Sequence, residues 1–554
     1  MDWVNGPASP IHFTTGVWTF ATSFTLLLTI MVVSSLKRND TRGPPRLKET
    51  IPYISNILIY MTNKKRFLER ITQALLESPV VECQLGPVKV YFVTGKDSVS
   101  TVLRQSSINL ISEPWMLLIL KNVAGYTDAD LAKLQRDKSG IGKVPIKSNE
   151  STPLEKRIWH LKHQVHNNYL AALQHTEALA VSFQSLFSEA LDTFPLGEWT
   201  EVSIFKFVRN EMAAASVCSV VGRRILACNP RFIDLLWEYD SYAESLAFGL
   251  PRWLNKKGVK VREDIRAMCL KWYAEVDQCL PKEETNKADE ELDNAFGSQL
   301  SRKLWEWAKS FGFSNESIAG VYMFLFLGLN TNTIPICTWA LMETIGDADL
   351  FHATRAEVLQ ALVTHPVSGK RTFDIQKLAS LPLIQSIYTE SLRLHLSLNL
   401  TRAATEDITI AGFTLPKGCI VQAPTQISHC EEAVWGTKDH PASEFWAYRH
   451  LKSLNVRDDK AQRGTELEYS ISGRMGSFFP YGGGGYMCPG RNLAKQEIIL
   501  VIAMIITRFD VDFIEWAEMD GSPSKRPAHN DPRYAGAGAV PPDREMKIRW
   551  KRLW

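Results

Sequence analysis

Cys488 follows a run of four glycines and precedes a segment with the pattern of a helix. The glycines at 482–485 let the backbone adopt positive φ angles and approach another surface closely. Pro489 suits the first turn of a helix, and residues 490–508 continue with an apolar helical pattern. The sulfur is therefore predicted at a helix N-terminus, where backbone N–H groups and the helix dipole stabilise a thiolate. A thiolate that binds iron needs donors of this kind to tune its basicity.

The same glycines are compatible with a phosphate-binding loop or with a merely flexible loop. The nucleotide-binding pattern GxGxxG is not satisfied in any register, because Met487 and Cys488 interrupt it. The loop therefore favours a cysteine that binds a metal, and a flexible loop is the alternative.

Glu390 and Arg393 are three residues apart, a spacing that places both side chains on one face of a helix. Most such pairs are exposed and contribute less than about 1 kcal/mol. Leu383, Ile387 and Leu394 share that face, however, so the sequence predicts that the pair is buried. A buried pair requires further partners for its charges, and the loss of either member is expected to disrupt folding.

Residues 315–345 form a long apolar helical pattern that contains Pro335. Because proline cannot donate a hydrogen bond to the carbonyl oxygen of Thr331, the helix is predicted to open there. Asn332 and Thr333 lie at this opening. Their side chains are free to satisfy the released carbonyl groups, which is a purely structural interpretation of their presence.

The elements around these groups belong to a globular protein. The chain has 554 residues, is 45% hydrophobic and carries a formal net charge of +3, so no nucleic-acid partner is expected. Its nine cysteines include no CxxC pair, which argues against a disulfide framework or a zinc site. The patterns predict helices over most of 155–345, a hairpin at 80–95, short strands at 400–424, and polar loops at 120–152 and 452–475. The fold class is mainly α with small β-sheets.

Residues 13–36 carry no charge and are long enough to span a hydrocarbon core of about 30 Å as a helix. Three basic residues follow within 37–42, which places the bulk of the chain in the cytosol. A cleaved signal peptide is the alternative, but its basic residues would precede a shorter apolar core. The sequence thus predicts a short lumenal N-terminus at 1–12, a transmembrane anchor at 13–36 and a proline-rich linker at 37–52.

The cysteine loop resembles the signature FxxGxxxCxG of the cytochrome P450 family. Tyr481, Gly484, Cys488 and Gly490 stand at its four fixed positions. Tyr481 replaces the usual phenylalanine and keeps an aromatic ring beside the sulfur. The family often has an arginine or histidine at the position of Tyr486, where it binds a haem propionate. That contact is expected to be weaker here or to come from another residue.

Glu390 and Arg393 match the ExxR motif of the same family. The family adds a third member from its PERF region, and Arg449 matches it, although His450 replaces the usual phenylalanine. The resemblance also implies that Arg402 leaves the first sheet to bind a haem propionate. A solvent-facing strand arginine is the alternative for Arg402.

Most members of the family carry an acid and an alcohol on the helix beside the haem, and these groups deliver protons to iron-bound oxygen. In the register set by the Asn-Thr-Ile-Pro string, the acid position is Thr331 and the alcohol position is Asn332. The resemblance implies that Asn332, with Thr331 or Thr333, organises the water that brings protons. The string also resembles the branch that contains cholesterol 7α-hydroxylase and prostacyclin synthase, and fungal P450s of secondary metabolism.

The resemblance implies a P450 fold with one N-terminal transmembrane helix, a catalytic domain at 53–554 and haem b with Cys488 as the axial ligand to iron. The expected reaction is monooxygenation of a bulky hydrophobic substrate, namely a terpenoid, meroterpenoid or sterol-like molecule of a secondary-metabolite pathway. Electrons are expected from NADPH through NADPH–cytochrome P450 reductase, and the enzyme is expected in the endoplasmic reticulum membrane, in contact with lipid. The alternatives are a haem-thiolate isomerase or dehydratase that needs no reductase, and a non-enzymatic membrane haem-binding protein.

Overall fold

A computed structural model describes most of the chain as a helical body with small sheets, which confirms the predicted fold class. The predicted anchor at 13–36 lies outside the described residues. The described ranges are 43–146, 152–279, 295–454, 466–474 and 476–554.

Helices account for most of the described chain. In chain order the α-helices are α1 (Ser55–Thr62), α2 (Lys64–Glu77), α3 (Lys96–Gln105), α4 (Glu113–Asn122), α5 (Asp128–Arg136), α6 (Ile158–His166), α7 (Leu173–Asp192), α8 (Ile204–Phe207), α9 (Ala213–Val221), α10 (Arg224–Cys228), α11 (Phe232–Ala247), α12 (Lys256–Cys279), α13 (Gln299–Ser310), α14 (Asn315–Asn330), α15 (Thr333–Gly346), α16 (Ala348–Val358), α17 (Ile375–Ser380), α18 (Pro382–His395), α19 (Thr425–His429), α20 (Glu432–Trp435) and α21 (Arg491–Arg508). Two short π-helical turns, Asn167–Ala171 and Val208–Met212, join neighbouring helices.

The strands form small sheets at the edge of the helical body. They are β1 (Val80–Leu85), β2 (Val88–Val93), β3 (Leu110–Ile111), β4 (Trp199–Ser203), β5 (Leu362–Thr364), β6 (Arg371–Phe373), β7 (Leu396–Ala404), β8 (Ile408–Ile410), β9 (Phe413–Leu415), β10 (Ile420–Pro424), β11 (Leu451–Leu454), β12 (Glu466–Tyr469), β13 (Phe509–Ala517), β14 (Ala537–Ala539) and β15 (Glu545–Arg552).

The largest sheet has the order β1-β2-β10-β7-β14, and β3 also pairs with β7. Among the described strands of this sheet, β2 and β10 are the one parallel pair. The predicted hairpin at 80–95 is confirmed as β1 and β2, which turn at Gly86 with a φ of 59°. A smaller sheet has the order β13-β15-β4.

The centre of the body is the long apolar helix that the sequence predicts to open near Pro335. It is interrupted between α14 and α15, at Thr331 and Asn332, as the missing N–H of proline requires. The combined segment 315–346 is long and apolar enough to cross a membrane, but 72% of its most apolar window is buried. It is therefore the core helix of this body.

Helix α21 lies beside this core helix and carries the cysteine loop at its N-terminus. It packs against α7, α15 and α18, and its side chains from Gln496 to Arg508 are all buried. The broken core helix, α18 and the start of α21 therefore come together around one region.

The prediction of a polar loop at 120–152 is wrong for much of that range. Helix α4 extends to Asn122, and α5 begins after Thr127, whose side chain accepts a hydrogen bond from the backbone N–H of Asp130. Leu131 and Leu134 of α5 are buried. The cap and this apolar face outweigh the polar composition of the segment.

Two other segments were expected to lack regular structure. Within 452–475, strands β11 and β12 pair with each other, and residues 455–465 between them lie outside the described part. Within the predicted linker at 37–52, the backbone N–H of Leu47 donates to the carbonyl oxygen of Glu82 over 2.8 Å. The chain at 45–47 is thus held against β1.

Candidate active site

The sulfur of Cys488 lies immediately before helix α21. The helix begins at Arg491 with Gly490 as its N-cap, so Pro489 precedes the first turn instead of occupying it. Burial raises the pKa of the Cys488 thiol, whereas the backbone N–H groups of Gly490 and Arg491 and the charge of Arg491 lower it. The donors of a thiolate site are present, and a bound cation would supply the remaining stabilisation of the negative sulfur.

The glycines before Cys488 let the loop lie directly on the C-terminal end of α3. Gly484 has a φ of 64°, and a Cβ there would overlap the carbonyl oxygen of Leu103. A Cβ on Gly485 would overlap the hydroxyl of Ser107. Side chains at these positions would push the loop away from α3, so the glycines fix where the sulfur lies.

Tyr481 ties the cysteine loop to α18. Its hydroxyl forms a short hydrogen bond with the hydroxyl of Tyr388, a buried residue of that helix. The backbone of the loop closes on the same residue, because the N–H of Cys488 donates to the carbonyl oxygen of Tyr481 over 2.9 Å. Sequence reasoning missed Tyr388. The available signal was the hydroxyl of Tyr481, since a buried hydroxyl requires a partner.

Glu390 is the centre of a fully buried charge cluster beneath this loop. Arg393 donates to both oxygens of the Glu390 carboxylate over 2.8 Å each, and Arg449 donates to Oε1 over 2.8 Å. His450 Nε2 lies 3.0 Å from Oε2. Burial raises the pKa of Glu390, but Arg393 and His450 outweigh this effect and hold it well below its usual range.

The two arginines of this cluster also satisfy backbone carbonyl oxygens. Arg393 Nη1 donates to Ala442 over 2.6 Å, and Arg449 Nη2 donates to Glu444 over 2.9 Å. The cluster therefore joins α18 to the irregular segment before β11. His450 stands where the resemblance expects phenylalanine, and its contribution as a fourth member was not predicted.

Arg402 of β7 retains one unused donor in a buried position. Its Nε donates to Ser106 Oγ over 3.1 Å and its Nη1 to the carbonyl oxygen of Thr401 over 2.8 Å. Its Nη2 is buried and has no hydrogen-bond partner within the described residues. Burial lowers the pKa of Arg402 to about 10. A buried cation with a free N–H is a site for an anionic oxygen.

Tyr486 lies against this arginine. The Arg402 guanidinium lies 5.0 Å from the centre of the Tyr486 ring, and the Tyr486 hydroxyl donates to the carboxylate of Glu113 in α4. Burial raises the pKa of Glu113, whereas the hydrogen bond from Tyr486 lowers it. The hydroxyl of Tyr486 is engaged with Glu113, whereas Arg402 keeps a free donor next to the cysteine loop.

The three polar residues at the helix break have different surroundings. Asn332 Oδ1 accepts a hydrogen bond from the backbone N–H of Ala539 in β14 over 2.8 Å. Thr331 and Asn332 line a cavity, whereas Thr333 is buried within α15 and does not contribute to its lining. The pairing of Asn332 with a strand 207 residues further on gave no signal in the sequence.

That cavity has a volume of about 1000 Å³, which is large enough for a bulky organic molecule. It extends from the helix break between α4, α11 and the segment around β14. Its apolar lining includes Met116, Ile119, Phe324, Leu327 and Leu398.

These residues fit a haem group. The thiol of Cys488 has N–H donors beside it but a raised pKa, as expected of a sulfur that becomes a thiolate only when a metal binds. The unpartnered Nη2 of Arg402 fits the carboxylate of a propionate. The eight cysteine side chains that the structure describes are all free thiols, so Cys488 is available as a ligand.

A helical body with a cysteine at the start of one core helix and a break in another is the architecture of a haem-thiolate enzyme. A family model for cytochrome P450 matches residues 181–526. The chain is 40% identical over 540 residues to the cytochrome P450 monooxygenase calL of Penicillium decumbens, covering 97% of this chain and 98% of that protein.

More distant relatives include the cytochrome P450 monooxygenase fsoE of Humicola fuscoatra, 26% identical over 96% of this chain and 91% of that protein. The cholesterol 7-alpha-monooxygenase of Cricetulus griseus is 24% identical over 94% and 96%, respectively. The chain belongs to the cytochrome P450 family. It is an enzyme of the monooxygenase type, so the non-enzymatic alternative is not retained, and the predicted resemblance to fungal and cholesterol-oxidising members is confirmed.

Proposed function

We propose that this enzyme inserts oxygen into a bulky hydrophobic substrate, a terpenoid, meroterpenoid or sterol-like molecule of a secondary-metabolite pathway. The observation that carries the proposal is the cavity of about 1000 Å³ that reaches the helix break at Thr331 and Asn332. The similarity to the cholesterol 7-alpha-monooxygenase of Cricetulus griseus, whose substrate is a sterol, supports a substrate of this size.

The cofactor of the proposed reaction is haem b. Cys488 would hold its iron, Arg402 Nη2 would hold a propionate, and Gly484 and Gly485 give the loop its close approach to α3. When bound, the haem would supply the activation of dioxygen, with electrons from NADPH through NADPH–cytochrome P450 reductase, and a Cys488 thiolate would favour cleavage of the O–O bond. Tyr481 keeps the loop in place through its bond to α18.

In this proposal, the residues at the helix break organise the delivery of protons. Because Asn332 Oδ1 is held by Ala539, its Nδ2 group keeps its donors for a molecule in the cavity. The hydroxyl of Thr331 lines the same cavity and both donates and accepts. We therefore assign Asn332 and Thr331 to holding the water that brings protons, and give Thr333 a lesser role because it is buried in α15.

A membrane surface is the proposed location of the enzyme, with the segment 13–36 as its anchor in the endoplasmic reticulum. Two groups of exposed apolar side chains support this proposal. They lie next to each other, because the rings of Tyr60 in α1 and Phe248 after α11 are 5.9 Å apart. The groups are Ile51, Ile54, Leu58 and Met61 around α1, and Phe248, Trp253 and Leu254 between α11 and α12. Such a patch is suited to contact lipid.

An isomerase or dehydratase that works without a reductase is the second candidate. The observation that favours it is the missing acid at the helix break, where Thr331 stands, together with the engagement of Asn332 Oδ1 by β14. Rearrangement of an already oxygenated substrate needs no external protons for oxygen reduction.

One experiment separates the two functions. The full-length enzyme, reconstituted with reductase in lipid, is incubated with terpenoid and sterol-like candidates under ¹⁸O₂, with and without NADPH. A product that contains ¹⁸O and forms only with NADPH supports the monooxygenase. A rearranged product that forms without NADPH contradicts it and supports the second candidate. Loss of the carbon monoxide band of a thiolate-bound haem in Cys488→Ser checks the ligand independently.

A further inference from the structure

Arg209 places an unpaired cation in the wall of the cavity that reaches the helix break. It lies on the π-helical turn Val208–Met212 and is partly buried. Its guanidinium forms no hydrogen bond and no ion pair with any residue that the structure describes. Leaving such a group unpaired in a partly desolvated position has a cost in free energy, which a bound anion would offset.

Two aromatic rings hold this guanidinium in place. Its carbon Cζ lies 4.9 Å from the centre of the Trp237 ring and 6.0 Å from that of Phe205. Trp237 is itself fixed, because its indole N–H donates to the carbonyl oxygen of Arg209 over 2.9 Å. Stacking on a ring occupies the face of a guanidinium and leaves the N–H groups at its edge free to donate.

The other charged groups in this wall have partners or face solvent, with one exception. Glu244 pairs with Lys64, Asp531 with Arg533, and Glu545 accepts the backbone N–H groups of Phe205 and Lys206, whereas the side chains of Lys206 and Asp234 are exposed. The exception is Asp240, which is partly buried and has no hydrogen bond or ion pair in the described part of the chain. Burial raises the pKa of Asp240 to about 7, and the charge of Arg209 acts against this effect.

The same cavity therefore combines an apolar lining, which includes Phe324 and Leu327, with a stacked guanidinium. A carboxylate is the group that fits a guanidinium edge best, since two parallel N–H donors meet two oxygens. Asp240 does not compete strongly, because its raised pKa lets it take up a proton when a second carboxylate enters.

We propose that the substrate of this enzyme carries a carboxylate, that Arg209 binds it, and that the hydrophobic body of the substrate lies along the apolar lining of the cavity. This inference deepens the proposed function and rests on it.

The test measures binding of matched acids and esters to the haem-loaded, full-length enzyme. The probes are abietic acid and oleanolic acid, each with its methyl ester, and the readouts are the substrate-induced shift of the haem spectrum and calorimetry. At least one acid is expected to bind tenfold or more tightly than its ester. If no acid binds more tightly than its ester, including the case in which no acid binds, the inference is overturned.

Variants then assign the preference to one side chain. Arg209→Gln is expected to weaken binding of the acid at least tenfold and to leave binding of the ester unchanged, and Arg209→Lys is expected to give an intermediate loss. The unchanged ester affinity shows that the variant is folded. Lys206→Gln is the matched control, because it removes an exposed cation from the same wall and should preserve the preference for the acid.

Asp240→Asn supplies the opposite test. The inference expects acid binding to be retained or tightened, because a competing carboxyl group is removed. The inference is overturned if Asp240→Asn binds the acid more weakly while Arg209→Gln binds it as tightly as the unaltered enzyme. If esters bind and are oxidised with NADPH while acids have no advantage, the proposed function stands and this inference fails. If no probe binds in either form, both proposals lose their support.

Discussion

The region beneath the cysteine loop and the cavity beside the helix break differ in whether their charged side chains are paired. Beneath the loop, Glu390, Arg393 and Arg449 are buried. Glu390 accepts hydrogen bonds from both arginines, and the arginines also donate to backbone carbonyl oxygens. Beside the break, Arg209 and Asp240 are partly buried, and neither side chain forms a hydrogen bond or an ion pair within the described chain. Charges that hold the fold together are saturated within the protein, whereas donors left unpaired mark places where an external molecule completes the bonding.

The largest expected effect comes from breaking the saturated cluster. Glu390→Gln removes the charge that neutralises two buried arginines and should cost about 3–5 kcal/mol of stability. We expect little or no haem-loaded protein, measured by thermal unfolding and by haem content. The control is Glu189→Gln, because Glu189 pairs with Arg223 where their side chains are 53% and 63% exposed. That change should cost less than about 1 kcal/mol, and an equal loss in both variants would contradict the comparison.

Glu497 extends the comparison, because it is a buried acid in α21 that has no basic partner among the residues the structure describes. It accepts a hydrogen bond from Ser216, and burial raises its pKa to about 8. Between its ordinary value and about 8, the folded state keeps a proton that the unfolded state loses, so stability falls as the pH rises through this window. Glu497→Gln should remove about 2 kcal/mol of the loss between pH 6 and 8. If the stability of the two proteins depends on pH in the same way, the carboxyl of Glu497 is already paired and this prediction is wrong.

Arg402 tests whether an unpaired donor beside the cysteine loop signals a ligand. Arg402→Gln is expected to speed haem dissociation about tenfold, because a charged hydrogen bond contributes about 1.5–3 kcal/mol. Transfer of haem to apomyoglobin measures the rate. Lys89→Gln removes a half-buried cation of the same sheet that is already paired with Glu82, and it is the control. An unchanged rate in Arg402→Gln would remove the propionate assignment.

The smallest expected effect concerns the hydroxyl that joins the loop to α18. Tyr481→Phe restores the residue usual in the family and leaves the hydroxyl of Tyr388 without its partner. A loss of about 1 kcal/mol is expected in thermal unfolding, with a small shift of the haem spectrum. Tyr388→Phe removes the other partner and should give a similar loss. A gain in stability in both variants would contradict a role for this bond.

Much of this arrangement was predictable from local spacing. The hairpin around Gly86, the break before Pro335 and the buried face of Glu390 and Arg393 each depend on residues within about ten positions of one another. Such patterns report helix and strand periodicity directly. They therefore predict elements and the faces that these elements bury.

The remaining features depend on contacts between distant segments, which spacing does not encode. The bond from Ala539 to Asn332 and the bond between Tyr388 and Tyr481 join residues that only the fold brings together. In the sequence, nothing distinguishes Arg209 from other basic residues of a helical region. Its contact with the ring of Trp237 exists only in the folded protein. The helix α5 was missed because its polar composition masked a short apolar face.

Helix α18 has a consequence for how this enzyme loses its cofactor. One turn of this helix carries both Glu390, which stabilises the fold, and Tyr388, which is hydrogen-bonded to the cysteine loop. Loosening of that turn would disturb the environment of the sulfur at the same time as it weakens the body. The colour of the bound haem would then report damage to this turn, changing as the body of the molecule loosens.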